Sequence, residues 1–375
     1  MRALIFDGRD ARASLGGVRA LAAGGWEVDV AAPGPTLAGA SRHVRRRHPV
    51  PLPEDGLDAF LDALAAAIGE GGHEVLFVSS DSDMLVVGAE RERIPALVPY
   101  PDVTAMRRCM DKVLLSEAAS RVGLAAPPVA SSAEEAVARF AGGRPVIVKE
   151  RLHGSVGAGG RPTHVDPLIT TDPGEVARRV AKIEAAGAVP MIQPAVSGTL
   201  MAFSSVVDGD GRMLARVQQE AERTWPDGLG CSVRARTVAV DPGLADRVAA
   251  LLRELGWHGL SELQFLVPDA GEPQLIDFNG RFYGSLSLAL AAGVNMPDLW
   301  ARLATGRAVS PAGDARPGLR YQWLEGDLRA VREGAGSPLG SLRYAVGAQH
   351  SVSDLRDPKP ALHRLRALVA ERRGR

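Results

Sequence analysis

Residues 261–281 carry the strongest structural signal of the sequence and read Ser261-Glu-Leu-Gln-Phe-Leu-Val267, then the turn sequence Pro268-Asp-Ala-Gly-Glu-Pro273, then Gln274-Leu-Ile-Asp-Phe-Asn-Gly-Arg281. Two alternating runs around a turn rich in Pro, Gly and Asp are typical of a β-hairpin. Folding the two runs about the turn places Gln264 opposite Asp277. The sequence therefore predicts an antiparallel ribbon that carries these two side chains on one face.

The polar face of this ribbon carries a third candidate ligand. Asn279 lies two residues after Asp277 and shares its face, because side chains alternate along a strand. Arg281 follows at the end of the ribbon. Oxygen ligands that leave positions open for water and phosphate suit Mg²⁺ bound to a nucleotide, although a solvated polar face would explain any one of them. The opposite face is predicted to pack into a core through Leu263, Phe265, Ile276 and Phe278.

The charge balance argues against some classes of function. The 375 residues include 44 basic and 44 acidic side chains. This balance gives no global reason to expect binding to nucleic acid or to an acidic membrane. One basic cluster, Arg42-His-Val-Arg-Arg-Arg-His48, lies between two predicted strands. It is interpreted as a solvated loop, with a contact for an anionic substrate as the alternative.

Cysteine content and hydropathy bear on where the protein works. Cys109 and Cys231 are the only cysteines in the sequence, and they provide neither a disulfide framework nor a zinc-binding set. No apolar run reaches about 18 residues, the length of a membrane-spanning helix. The first residues read as a strand rather than as a signal sequence. A cytoplasmic location without membrane association is therefore expected.

The N-terminal part of the chain alternates strands and helices, which is typical of a parallel α/β layer. The sequence predicts strands at 2–7, 26–32 and 74–79, and helices at 14–24 and 56–69. No G-x-G-x-x-G fingerprint follows the first strand. A dinucleotide-binding domain is therefore disfavoured.

The pattern changes after Pro101. A helix is predicted from Asp111, a suitable N-cap, to Gly123. Asp172-Pro-Gly-Glu175 is a capping box that opens another helix. The mixture that follows favours α+β subdomains, with helices predicted at 131–141, 172–187, 241–256, 285–292 and 360–373, and strands at 145–150, 191–196, 200–207 and 213–220.

Lys149 ends an apolar strand and precedes a glycine-rich segment, His153-Gly-Ser-Val-Gly-Ala-Gly-Gly160. Glycines let the backbone approach a ligand closely and offer N–H donors to phosphate oxygens. The segment is not a Walker loop, because G-x-x-x-x-G-K-[ST] is absent. A flap over phosphate groups and a plain hairpin both fit it, and the lysine just before it favours the flap.

Four blocks in this order resemble the ATP-grasp superfamily over about residues 105–305. They are Asp111-Lys112, Val148-Lys149 with the glycine-rich segment, a strand around Gln193, and the ribbon that ends in Asp277-Phe-Asn-Gly-Arg281. The resemblance implies an ATP-grasp fold. Two α+β subdomains would grip ATP, preceded by an N-terminal parallel α/β domain.

The resemblance also implies roles for individual residues. Lys112 and Lys149 would contact the phosphates of ATP, and Arg281 would join Lys149 in catalysis by steadying the transferred phosphoryl group. Mg²⁺, or Mn²⁺ in its place, would be held by Gln264, Asp277 and Asn279. The other nucleotide contacts would come from the glycine-rich loop and the hinge strand, namely His153, Gly154, Ser155, Gly157, Gly159, Ile192, Gln193 and Val196. The substrate side would be lined by Glu220, Arg223, Arg281 and Ser285.

The chain departs from the common pattern of this superfamily at four positions. Gln264 stands where many members have a carboxylate, and it resembles the carbamoyl phosphate synthetase-like members in this respect. Asp277 replaces a longer Glu, and Gly280 replaces the Pro of N-P-R. Pro194 occupies a hinge position where many members have Glu. None of these changes removes a charge that the implied catalysis requires.

The sequence and the resemblance together predict four regions: a pre-ATP-grasp α/β domain (1–104), a small subdomain with the glycine-rich loop (105–195), a large subdomain with the metal site (196–305) and a C-terminal extension (306–375). The implied activity is ATP-dependent ligation of a small-molecule carboxylate to an amine through an acyl phosphate, with release of ADP and phosphate. The alternatives are a carboxylate or carbamate kinase of carbamoyl phosphate synthetase type and a non-catalytic ATP-binding protein. A homodimer is compatible with the resemblance.

Overall fold

The chain folds into mixed strands and helices, seen in a computed structural model that describes residues 1–130, 132, 134–136, 143–152, 162 and 165–373. The strands are β1 (Arg2–Phe6), β2 (Glu27–Ala32), β3 (Val44–Pro49), β4 (Val75–Val78), β5 (Val146–Glu150), β6 (Leu168–Thr170), β7 (Pro190–Pro194), β8 (Thr199–Val207), β9 (Met213–Trp225), β10 (Cys231–Val238), β11 (Gly259–Val267), β12 (Gln274–Asn279), β13 (Gly313–Asp314), β14 (Arg320–Gln322) and β15 (Gln349–His350).

The α-helices lie between and beside these strands in the described part of the chain. They are α1 (Arg12–Ala23), α2 (Leu57–Gly71), α3 (Asp81–Ala89), α4 (Val103–Met110), α5 (Lys112–Arg121), α6 (Pro173–Ala185), α7 (Pro242–Leu255), α8 (Leu286–Ala291), α9 (Met296–Ala304), α10 (Leu324–Arg332), α11 (Pro338–Ala345) and α12 (Lys359–Arg373). Single 3₁₀ turns occur at Pro53–Asp55 and Arg91–Arg93. Over the described ranges, none of the helices combines the length and the apolar character that crossing a membrane requires.

Three sheets organise these elements in the part of the chain that the structure describes. The first is parallel, with the strand order β3-β2-β1-β4. The second is a small antiparallel sheet with the order β6-β5-β7. The third is a large sheet with the order β12-β11-β8-β9-β10-β14-β15, with β13 beside β9. The mixture of a parallel α/β layer with α+β parts agrees with the predicted fold class.

The basic segment 42–48 is largely a strand, so the prediction of a solvated loop was wrong. Its residues from Val44 onward form β3, which pairs in parallel with β2 at the edge of the sheet. The buried Asp29 on β2 accepts hydrogen bonds from Nε and Nη2 of Arg45, each at 2.9 Å. Its charge offsets part of the positive charge of β3. A strand with this many cations is therefore tolerated here.

The predicted hairpin is present as β11 and β12, with Gln264 opposite Asp277. A register shift after Gln264 pairs Phe265 with Leu275 and leaves Ile276 without a direct partner in this register. Leu275 is therefore buried, whereas Ile276, which was predicted to pack in the core, is only half-buried.

The small sheet has its own hydrophobic core, built from Val148, Ile183 and Ile192 among others. Helix α6 covers this sheet and begins as predicted at Asp172, whose carboxylate accepts the N–H of Gly174 at 2.7 Å. Most of the predicted helix 131–141 lies outside the described residues. The small sheet thus forms a separate layer that presents Lys149 on β5.

The chain after residue 305 extends the large sheet. Strand β14 pairs with β10 and β15, and β13 pairs with β9. Helices α10, α11 and α12 follow, of which only α12 was predicted, at 360–373. The four regional boundaries stay predictions.

A cluster of aromatic side chains joins the parallel layer to the rest of the molecule. Trp300 of α9 is 1% exposed and lies 4.7 Å from Phe77 and 5.2 Å from Tyr100, between ring centroids. Its indole N–H donates to the carbonyl of Pro99 at 3.0 Å. Phe282, which follows the ribbon, packs against the same rings. The end of the ribbon is therefore held against β4.

Replacing Trp300 by alanine is expected to lower the free energy of unfolding by about 3–5 kcal/mol, because a buried indole leaves a cavity. Urea denaturation of the purified variant measures this loss. Leu339→Ala is the matched control, since Leu339 is 65% exposed, and surface changes stay within about 0.5 kcal/mol. A loss for the Trp300 variant no larger than the control's would contradict the role of this cluster.

Candidate active site

The polar face of the ribbon brings four side chains together. Gln264 lies opposite Asp277, and Glu262 lies opposite Asn279. Because alternate residues share a face, all four project to the same side of the large sheet. The predicted oxygen ligands are thus neighbours, and Glu262 joins them.

Lys112 reaches the ribbon from the start of helix α5. Asp111 caps this helix, and its carboxylate accepts the N–H groups of Val113 at 2.9 Å and Leu114 at 3.2 Å. The Lys112 ammonium lies 3.5 Å from a carboxylate oxygen of Asp277 and is buried. Within the described part of the chain, this ammonium makes no hydrogen bond. A buried cation in that state favours an anionic ligand.

Lys149 reaches the same place from β5 of the small sheet. Its ammonium lies 3.5 Å from the carbonyl oxygen of Ile276, which directly precedes Asp277. Burial and then the nearby charge of Lys112 lower the pKa of Lys149 to about 8, while Asp277 acts in the opposite direction. An anion bound beside Lys149 would stabilise its charged form, which burial and the neighbouring ammonium disfavour.

Glu262 connects the two amide side chains of the ribbon. Its Oε2 accepts a hydrogen bond from Asn279 Nδ2 at 2.9 Å and one from Gln264 Nε2 at 3.4 Å. Burial raises the pKa of Glu262 to about 7, against the effects of Asn279 and Arg281. Glu262 was not among the residues predicted from the sequence, although its place two residues before Gln264 puts it on the same strand face.

Arg281 is held by the N-terminal layer. Its Nε and Nη2 donate to the two carboxylate oxygens of Asp81 at 3.1 and 2.8 Å, and its Nη1 donates to the carbonyl of Phe282 at 3.1 Å. Such a bidentate pair fixes the plane of the guanidinium group. Asp81, at the start of α3, has no signal in the sequence that would link it to a residue so far along the chain.

The hinge strand β7 offers fewer free groups than predicted. Ile192 exchanges both backbone hydrogen bonds with Ala130, at 2.8 and 3.3 Å. Gln193 is buried, and its side-chain amide donates to the carbonyl of Pro127 at 3.0 Å. The N–H of Ile192 is therefore already used within the protein, and the contacts of Ile192, Gln193 and Val196 with a nucleotide stay predictions.

The predicted substrate residues contact other protein groups. Glu220 pairs with Arg236 at 3.0 Å, and Arg223 donates to the buried Asp327 at 2.7 Å. Ser285 is buried and accepts a hydrogen bond from the Gln219 amide at 2.7 Å. Their roles toward a substrate stay predictions. The predicted loop contacts of His153, Gly154, Ser155, Gly157 and Gly159 fall outside the described residues.

A second group of metal-compatible side chains, Asp29, His48 and His73, lies in the parallel layer, where the carboxylate already accepts several hydrogen bonds. The Nε2 atoms of His48 and His73 lie 3.1 and 2.9 Å from one oxygen of Asp29. Although burial opposes ionisation, hydrogen bonds from His73, Arg45 and His48 hold the pKa of Asp29 well below its usual range. The carboxylate is thus saturated by donors, which is unfavourable for a metal ion.

The sequence and the fold are both similar to those of known proteins. The profile of a family described as "ATP-grasp in the biosynthetic pathway with Ter operon" matches residues 206–327. This range includes Glu262 and the complete ribbon. No curated protein matches the sequence.

Solved structures share the fold at low sequence identity. Biotin carboxylase from Campylobacter jejuni superposes with a TM-score of 0.64 at 14% identity, over 84% of this chain and 74% of that chain. N5-carboxyaminoimidazole synthetase from Staphylococcus aureus gives 0.64 at 12% identity, over 90% and 86%. L-amino acid ligase from Bacillus licheniformis gives 0.57 at 16% identity, over 81% and 74%. The chain therefore shares its fold with these three enzymes, and over residues 206–327 its sequence is similar to the ATP-grasp family of the profile.

Proposed function

We propose that the protein is an ATP- and Mg²⁺-dependent ligase that joins a carboxylate to an amine through an acyl phosphate and releases ADP and phosphate. The observation that carries this proposal is the convergence of Lys112 and Lys149 on the ribbon beside Asp277. An L-amino acid ligase and an N5-carboxyaminoimidazole synthetase share the fold, and this likeness supports ligase chemistry.

The residues of the ribbon fit a magnesium ion. One carboxylate and two amide side chains supply hard oxygen ligands, and their low total charge favours a metal that arrives with phosphates. Asp277 would provide the charged ligand, with Asn279 and Gln264 as neutral ones. When bound, Mg²⁺ would neutralise part of the negative charge of the triphosphate. The buried ammonium of Lys112, which has Asp277 as its ion-pair partner at 3.5 Å, fits a polyphosphate at this place.

The nucleotide would lie between the small and large sheets. Lys112 of α5 and Lys149 of β5 would contact phosphate oxygens, and the N–H of Val196 would meet the adenine. The glycine-rich loop 153–160 is proposed to cover the phosphates. This arrangement positions the γ-phosphate and offsets its charge, which is the main requirement of phosphoryl transfer.

The chemistry needs no nucleophile from the protein. A substrate carboxylate oxygen would attack the γ-phosphorus, ADP would leave, and an amine nitrogen would then attack the acyl carbon. That nitrogen loses its proton, and phosphate leaves with the electrons of the broken C–O bond. Arg281 would stabilise the negative charge on the phosphoryl group, and its pair with Asp81 would hold it in position.

The pH dependence of ATP binding is expected to follow Lys149, whose pKa is lowered to about 8. Below this pH the ammonium is charged and attracts phosphate, and above it the amine is neutral. The Kd for MgATP, measured by calorimetry, should therefore rise on the alkaline side of about pH 8. Lys149→Arg is the control, because a guanidinium does not titrate in this range. If the affinity of the Lys149→Arg variant for MgATP fell equally above this pH, the group that titrates would not be Lys149.

The activity is tested by ADP release with pooled amino acids and metabolite carboxylates. Release that needs both a carboxylate and an amine supports ligation. Release with the carboxylate alone would instead support a carboxylate or carbamate kinase of carbamoyl phosphate synthetase type. ATP binding without any release would support a non-catalytic ATP-binding protein. Mass spectrometry of the product mixture then identifies the substrates.

A further inference from the structure

Glu262 touches both amide side chains of the metal site proposed above. We propose that Glu262 is a positioning residue that turns the carbonyl oxygens of Gln264 and Asn279 toward the metal. This inference rests on the proposed function, because it concerns the same site. It explains how a site with two amides can bind a cation reliably.

An amide side chain is a poorly defined metal ligand by itself. Its terminal group has an oxygen that can bind a cation and an NH₂ group that cannot, and rotation by a half-turn exchanges them. A carboxylate has two equivalent oxygens and needs no such control. Gln264 and Asn279 therefore both need a neighbour that selects one orientation.

The contacts of Glu262 supply that selection. The Oε2 atom of Glu262 accepts a hydrogen bond from each amide, and only the NH₂ end of an amide donates, so both NH₂ groups face Glu262. The distances to its Oε2 are 2.9 Å from Asn279 Nδ2 and 3.4 Å from Gln264 Nε2. The oxygens of both amides then face away from Glu262.

The position of Glu262 makes it a rigid support. It lies in the interior of β11 between Ser204 on β8 and Asn279 on β12, and the residue is 4% exposed. Arg281, Asp277 and Tyr283 are ionisable groups that interact electrostatically with it. A buried carboxylate that accepts two side-chain amides orients them as the outer partners of a metal site usually do.

The test measures MgATP binding by calorimetry as a function of Mg²⁺ concentration, which requires no knowledge of the substrates. Glu262→Ala is expected to raise the Mg²⁺ concentration needed for half-maximal ATP binding at least about tenfold. The isosteric Glu262→Gln keeps the volume but can donate as well as accept, and it should show the same direction of change. Thermal unfolding without Mg²⁺ confirms that both variants are folded.

A double variant separates positioning from a merely structural role. Adding Gln264→Glu to Glu262→Ala supplies a ligand with two equivalent oxygens and should recover most of the lost Mg²⁺ affinity. An unchanged Mg²⁺ requirement in both single variants, or no recovery in the double variant, would overturn the positioning role while leaving the ligase proposal intact. If the unaltered protein bound ATP without any dependence on Mg²⁺, the proposed function would fail first and this inference with it.

Discussion

Lys149→Ala is expected to reduce ADP formation at least about a hundredfold, which corresponds to about 3 kcal/mol of lost transition-state stabilisation. The ammonium of Lys149 lies 3.5 Å from the carbonyl of Ile276 on the ribbon. A charge placed there acts on phosphate in surroundings with little water, where its effect is large. A coupled assay of ADP release in the substrate mixture measures the loss.

The control for this variant is Lys182→Ala. Lys182 lies on helix α6, which covers the same small sheet, and its side chain is exposed. The control should retain the activity of the unaltered protein. If Lys149→Ala kept native turnover while remaining folded, Lys149 would have no role at the phosphates.

Asp277→Asn is expected to reduce ADP formation about as strongly as Lys149→Ala does. The substitution keeps the shape and one oxygen but removes the only charge among the three proposed metal ligands. ADP formation should fall about a hundredfold, and more Mg²⁺ should be needed for ATP binding. Because Asp277 raises the pKa of Lys149, the alkaline loss of ATP binding should also move to lower pH. A pH series of calorimetric titrations measures both changes.

Asp269→Asn is the matched control for that experiment. Asp269 lies in the exposed turn of the same hairpin, away from the polar face. The same change of charge there should leave the Mg²⁺ requirement unaltered. An Asp277 variant with normal Mg²⁺ dependence would remove the metal site from the ribbon.

The ribbon was predictable from the sequence because its information is local. Strand alternation and a short turn determine that Gln264 faces Asp277, and the structure has that register. The same rule applied one step earlier identifies Glu262. The register shift that exposes part of Ile276 depends on packing against the sheet and has no comparable local signal.

Contacts between distant parts of the chain were harder to predict from the sequence. The approach of Lys112 and Lys149 to the ribbon was expected only through the family resemblance, since no periodicity relates them to it. The pair between Asp81 and Arg281 joins residues 200 positions apart. Charged side chains at such separations find partners through the tertiary fold alone.

The segment 42–48 shows how tertiary pairing overrides composition. Its basic residues favour a loop, yet pairing with β2 and the buried Asp29 make it a strand. Strand preference depends on neighbours more than on the residues themselves. In the same way, Asp327 accepts a hydrogen bond from the guanidinium of Arg223. No sequence pattern reveals this contact.

A crystal structure with Mg²⁺ and a non-hydrolysable ATP analogue would show whether the ribbon and the two lysines bind the same triphosphate. We expect a metal ion at roughly 2.1 Å from oxygens of Asp277 and Asn279. We also expect the Nζ atoms of Lys112 and Lys149 both to lie about 3 Å from phosphate oxygens. A triphosphate bound elsewhere, or a metal ion without contact to the ribbon, would contradict this expectation.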